Sequence, residues 1–267
     1  MSTAGYALRD SRTMLRRNLR HLLRYPSMTL LLLGMPVIFL LLFVYVFGGT
    51  LGSGLDGMAG GLTGRAAYVN YVIPGILVFT VTGVVQGTSI AVAMDMTEGI
   101  VARFKTMALF RASMLVGHVV ATAVQTAIGL VVILGLALAI GFRPHAGIGG
   151  WLAAAGLLLL LTLALTWLGV ACGLACKTVE SASNVLMPLS LLPLLGSGFV
   201  PTDSMPAGLR WFADYQPFTP IMDTLRGLLM GTPVATGSAV QAIAWCTGIT
   251  VICYLWARAL FNRDPSH

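Results

Sequence analysis

Four cysteines are the first candidates for reactivity: Cys172 and Cys176, four apart, and Cys246 and Cys253, seven apart. Both spacings put a pair on one side of a helix, and all four thiols lie inside apolar runs. A metal site needs His or Cys side chains that converge in polar surroundings. A disulfide framework belongs to small, loop-rich chains. Thiols that pack as small apolar groups account for the pattern better than either. The four histidines, His21, His118, His145 and His267, are scattered. No G-x-x-x-x-G-K-[ST] phosphate loop occurs, and neither Lys105 nor Lys177 follows a glycine. H-E-x-x-H and G-x-S-x-G are missing too. The chain therefore carries no recognisable catalytic set and no metal site, and is expected to bind no cofactor.

Composition explains this shortage of reactive groups. Of 267 residues, 57% are hydrophobic and 9% charged, against roughly 25% charged in a soluble domain. So little charge cannot cover a water-soluble globule of this length. Disorder is excluded as well, since it requires low hydrophobicity. The 31 glycines suit helices that approach closely in lipid. The fold class expected is an all-α, polytopic membrane protein forming one domain over residues 1–267.

A bilayer crossing takes about 20 apolar residues. Six candidates follow, at about 28–47, 69–93, 114–140, 151–175, 183–200 and 240–261. The fifth is short and broken by Pro188, Pro193, Gly196 and Gly198. With the N-terminus inside, the inner segments hold twelve basic residues: Arg9, Arg12, Arg16, Arg17, Arg20, Arg24, Arg103, Lys105, Arg111, Lys177, Arg258 and Arg263. The outer segments hold four: Arg65, Arg143, Arg210 and Arg226. This bias puts both termini in the cytoplasm. The arginine-rich residues 1–27 then read as a lipid-facing cytoplasmic segment, not a nucleic-acid-binding arm.

Three segments outside the spans carry information. Within 5–25, Leu8, Leu15, Leu19 and Leu22 form one helical stripe and Arg9, Arg12, Arg16 and Arg20 its neighbour. That is an interfacial amphipathic helix. Between spans two and three, Asp95 and Glu98 are spaced as an N-cap and its reciprocal partner. A short helix with Ile100, Phe104 and Met107 on one side would follow; it reads either as a docking surface or as a solvated turn. The segment 201–239 is too polar to cross but rich in aromatics, among them Trp211, Phe212, Tyr215 and Phe218. It should form interfacial or re-entrant helices. Asp223 and Arg226, three apart, can pair on one helix face.

The span interiors hold no Asp, Glu, Lys or Arg, whereas ion-coupled carriers usually place a charge there. Their polar groups are neutral: Gln86, Gln125, Thr162, Thr166, Asn184, Ser190 and Ser197. Such groups either hold helices together or line a path for an amphipathic molecule. Proline and glycine near the outer end of span five suggest a narrow point at Ser197, Gly198 and Phe199. It would form where two copies of the span meet across a dimer axis, with Trp211 and Phe212 at the exit.

Two stretches resemble a known family. Glu98, Gly99, Arg103, Phe104 and Lys105, with Arg111, Gly117 and His118 beyond, are similar to the cytoplasmic coupling loop of ABC-2 type transporter permeases. Met187, Pro188, Ser197, Gly198, Phe199, Pro201, Met205, Pro206, Gln216, Pro217, Thr219, Pro220, Asp223, Arg226 and Gly227 resemble the family's C-terminal signature. The match is nearest to the daunorubicin-resistance subfamily of drug exporters. One departure is Met107-Ala108, where the family's coupling loop usually carries a proline. The resemblance implies a permease subunit of the prokaryotic cytoplasmic membrane with no ATPase site of its own. Two such subunits, identical or paralogous, would pair with two separate ABC ATPases that bind ATP and Mg. The resemblance further implies that Asp95, Glu98, Gly99, Arg103, Phe104 and Lys105 couple to the ATPase, and that the cargo is a lipophilic small molecule. A lipid-linked glycan exporter, and a membrane scaffold or immunity protein without transport, are the alternatives.

Overall fold

Helices that are apolar on every side have no preferred wet face, and so they pack against one another and against lipid. That is the architecture observed. A computed structural model describes residues 26–55, 63–97 and 113–262, and among these there is no strand. The first helix, α1 (Pro26–Leu41), continues through a π-helical stretch Leu42–Phe47 and a turn Gly48–Gly52. It is followed by α2 (Gly64–Thr97), α3 (Ser113–Ile140) and α4 (Ile148–Ala175). Two short helices, α5 (Val179–Val185) and α6 (Met187–Leu191), lead into a 3-10 turn Leu192–Leu195. A hairpin of α7 (Ala207–Tyr215) and α8 (Phe218–Met230) precedes the last helix, α9 (Thr236–Asn262).

Among the described residues, five stretches are long and apolar enough to cross a membrane: Leu33–Leu55, Gly64–Thr97, Gly117–Ile140, Ile148–Ala175 and Thr236–Phe261. The remaining expected span, the fifth, is instead the shorter, broken run Val179–Leu195. Pro188 and Pro193 cannot donate a backbone hydrogen bond, which is why this run is helical only in pieces. Thr178 starts it by accepting the Ser181 N–H at 3.2 Å, as an N-cap does.

The centre of the bundle is α2. Its most apolar window is 72% buried, against 17% for α9. Helices α1, α3, α4, α5, α6 and α8 all pack on α2. The core gathers Tyr68, Val72, Ile73 and Ile76 of α2 with Phe142, Leu161, Phe199, Phe218 and Ile221. Contact with α4 is close because Gly173 has no side chain. A Cβ there would lie 2.7 Å from the Ser89 carbonyl oxygen, the small-residue packing expected in membranes.

Segment 182–199 runs antiparallel along α2. Ser89 donates to the Ala182 carbonyl at 3.3 Å and Gln86 to the Ser183 carbonyl at 3.1 Å. At the other end Tyr71 donates to Ser197 and Tyr68 to Phe199. From Ser89 back to Tyr68 is 21 helical residues, about 31 Å. Helix α8 docks beside this end, where its Leu229 carbonyl accepts the His145 N–H at 3.1 Å.

Candidate functional site

A chain that leaves helical geometry while buried must find partners for its freed carbonyls. After Leu195 the backbone of Gly196 is extended, and Ser197 and Phe199 are buried at 6% and 2% exposure. Two tyrosines on one face of α2 supply the donors. The Tyr71 hydroxyl reaches the Ser197 carbonyl at 2.7 Å, and the Tyr68 hydroxyl reaches Phe199 at 3.0 Å. Helix α8 completes the set with Arg226, whose guanidinium donates to the Ser197 carbonyl at 2.6 Å and to Asp223 at 2.7 Å. Its Nε points at the Tyr71 carbonyl at 3.4 Å, and the group stacks 4.0 Å above the Tyr71 ring. The Ser197 hydroxyl closes the circuit by donating to the Asp223 carboxylate at 2.7 Å. One cation and one anion balance here, partly sheltered from solvent. The result is a clamp joining α2, the broken segment and α8.

The clamp also brings two backbones together. A Cβ on Gly75 would lie 2.8 Å from the Gly198 carbonyl oxygen, and one on Gly198 would lie 2.3 Å from Met222 Sδ. Gly198 is therefore packed inside its own chain. Within the chain, Gly75 of α2 and Met222 of α8 cover it. Phe199 is likewise buried, with its ring 4.7 Å from that of Phe43. By contrast Trp211 and Phe212 stand on the surface of α7, with Trp211 65% exposed. The Trp211 ring is 5.4 Å from that of Tyr215. On the polar side of α7, Arg210 pairs with Asp203 and approaches Asp214.

The remaining polar groups fall into three kinds. Gln86 is bonded to Ser183, and Asn184 lies exposed beside it. Gln125, on α3, is half-buried and away from both; among the described residues it makes no side-chain hydrogen bond. Thr162, Thr166 and Ser190 donate to carbonyls of their own helical segments, at 2.7, 2.6 and 2.7 Å. Those bonds do not join one helix to another.

Helix α2 differs between its two halves. From Val72 to Thr82 every residue is buried. From Gly83 onward one stripe is uncovered: Gly83, Gln86, Gly87 and Ile90 are half-buried and Met94 is exposed. These positions lie three and four apart, so they share one face. Among them only Gln86 stood out in the sequence. Tyr68, Tyr71, Gly75 and Met222 of the clamp were not foreseen either. Beside the Asp223–Arg226 spacing, a pair of tyrosines three apart on an apolar helix is the local signal that could have pointed to the clamp.

Asp95 needs a correction. It does not cap a new helix. Helix α2 continues through it to Thr97, and its carboxylate meets His118 of α3 at 2.9 Å. The helix thus outlasts the apolar run, with this pairing in its last turn. Glu98, Gly99, Arg103, Phe104 and Lys105 lie outside the described residues, as does the N-terminal stripe at 5–25.

The model of the family described as ABC-2 type transporter matches residues 9–230. The chain is 26% identical over 210 residues to the daunorubicin resistance ABC transporter permease protein DrrB1 of Streptomyces coeruleorubidus, covering 78% of this chain and 70% of that protein. It is 26% identical over 180 residues to a probable doxorubicin resistance ABC transporter permease protein, DrrC, of Mycobacterium tuberculosis. That match covers 66% of this chain and 65% of the mycobacterial protein.

Proposed function

The chain belongs to the ABC-2 type transporter family, and from that premise we propose that it is the membrane permease of an ATP-driven exporter for lipophilic or amphipathic drug-like molecules. The observation that carries this reading is the asymmetry of α2. Its outer half is enclosed and clamped, while its inner half opens one stripe of small, apolar and amide side chains. An amphiphile entering from the cytoplasm or inner leaflet meets Gln86 as its polar contact, with Gly83, Gly87 and Ile90 around it. Outward passage then requires the clamp and the segment it holds to move. The relatives' names, with daunorubicin and doxorubicin resistance in their titles, support this cargo class.

In this reading segment 179–199 is a sixth crossing. Its run along α2 covers about 31 Å, which matches a hydrocarbon core of about 30 Å. An even count leaves both termini in the cytoplasm, as the basic residues suggest. The site of ATP hydrolysis, with its Mg, belongs to two separate ABC ATPase subunits serving two permease copies or a permease and its paralogue. Phe104 would seat in a groove on the ATPase, with Glu98, Gly99, Arg103 and Lys105 setting register.

The test is reconstitution with the cognate ATPase in proteoliposomes. ATP-dependent movement of a lipophilic dye is expected, with stimulation of hydrolysis by that dye. Phe104→Ala should weaken co-purification of the ATPase and abolish stimulation, since losing an interface aromatic of this kind costs about 2 kcal/mol or more. Movement of a lipid-linked glycan but of no lipophilic dye would replace the cargo class. No ATP-dependent movement of either would overturn the transport reading.

A further inference from the structure

Helices α2 and α3 flank residues 98–112, and their facing surfaces change character along their length. Near the outer end the contact is apolar, with Ile133 and Ala137 fully buried in the core. Toward the cytoplasmic end it becomes polar. Thr88 and Thr122 share a hydrogen bond at 2.6 Å, and Asp95 and His118 meet at 2.9 Å. Asp95 and His118 are each only 9% exposed. On the reading that the Tyr68–Ser89 length of α2 crosses the bilayer, they lie past its cytoplasmic end: Asp95 is six residues beyond Ser89, about 9 Å along the helix. An acid and an imidazole buried this far along have no place in an intramembrane ion path. They sit where the two helices enter and leave the intervening segment.

We infer that Asp95 and His118 are positioning residues: their contact clasps the ends of α2 and α3 so that a push on residues 98–112 moves both helices together. This rests on the reading that those residues receive the stroke of an ATPase. The mechanical reasoning is direct. Without the clasp, the two helix ends lose a buried polar contact between them, and a displacement is more readily taken up as splaying. With it, the displacement passes up α2, the helix on which the bundle and the outer clamp are built. The Thr88–Thr122 contact, further up, limits splaying to the final turns.

Two measurements test the clasp. In proteoliposomes with the ATPase, Asp95→Ala or His118→Ala should lower dye exported per ATP hydrolysed about tenfold. The exchanged pair, Asp95→His with His118→Asp, should return it to within about twofold of the parent. Export per ATP unchanged in both single variants overturns the proposal, as does failure of the exchanged pair to recover when it inserts normally. The second measurement needs neither cargo nor ATPase. Spin labels at Met94→Cys and Val120→Cys, both exposed positions, are placed in a background whose four native cysteines are alanine. A narrow distance distribution is expected, broadening in Asp95→Ala. A distribution unchanged by that substitution rejects the clasp even if transport is never observed. A narrow, Asp95-dependent distribution with no export keeps the clasp and rejects the transport reading.

Discussion

Arg226 satisfies a buried carbonyl, pairs with a carboxylate and stacks on a ring, three tasks that only a planar fork of donors performs at once. Arg226→Ala removes one of two donors from both the Asp223 carboxylate and the Ser197 carbonyl, and leaves the carboxylate without its cation. It should cost about 2 kcal/mol or more, read as a lower unfolding midpoint in detergent. Arg226→Lys should recover only part, because a single ammonium cannot cover these acceptors together. Tyr71→Phe removes one of the two donors to Ser197 and should cost about 1 kcal/mol. The Asp223–Arg226 spacing was legible in the sequence, since residues three apart on any helix can meet. Their attachment to Ser197 and Tyr71 was not, because those partners lie 29 and 155 residues away. The cysteines are free, and Cys172, Cys246 and Cys253 are buried. Replacing all four by alanine should preserve assembly and dye export, and loss of export at normal expression would refute the packing role.

At the level of elements, the informative contrast is between two glycines of one helix. Gly75 faces the Gly198 backbone, whereas nothing lies within 4 Å of where a Cβ on Gly83 would stand. Gly75→Val should therefore fail to assemble or lose much of its thermal stability, while Gly83→Ala should assemble normally. Equal behaviour would show that the broken segment is not seated on α2 as described. Gly198→Leu belongs with Gly75→Val: its side chain would strike Met222 and α2 inside one protomer, so the defect expected is misfolding. The break itself was readable, since Pro188, Pro193 and the glycines at 196 and 198 cannot continue a regular helix. Which helix would cover the break was not readable, because apolar spans are interchangeable by hydropathy alone. The end of α2 was misread for a related reason. Its apolar run fades near Ala93, but the helix continues four residues further, where Asp95 meets His118 of α3.

For the whole molecule, the basic residues predict topology. A reporter active only in the cytoplasm should be on when fused after His267 and off near Gly57 or Asp203; activity at Asp203 would mean that segment 179–199 does not cross. Five of the six expected spans are long apolar helices among the described residues, legible because length and hydropathy are summed properties; the fifth expected span is not one long helix. The central place of α2 was not, because burial in lipid and burial in protein demand the same side chains. The long separation between the two sides of the outer clamp has a consequence for how the chain is made. Tyr71 leaves the ribosome 155 residues ahead of Arg226, an interval of roughly 8–30 s at ordinary synthesis rates. Throughout that interval α2 sits in the bilayer without the segment and the helix that will cover it. The centre of the finished bundle is thus, during synthesis, its longest-waiting surface, open to quality-control proteases until residues 197–226 have emerged. A chain stopped before Gly196 should be degraded quickly, and one stopped just after Met230 should persist.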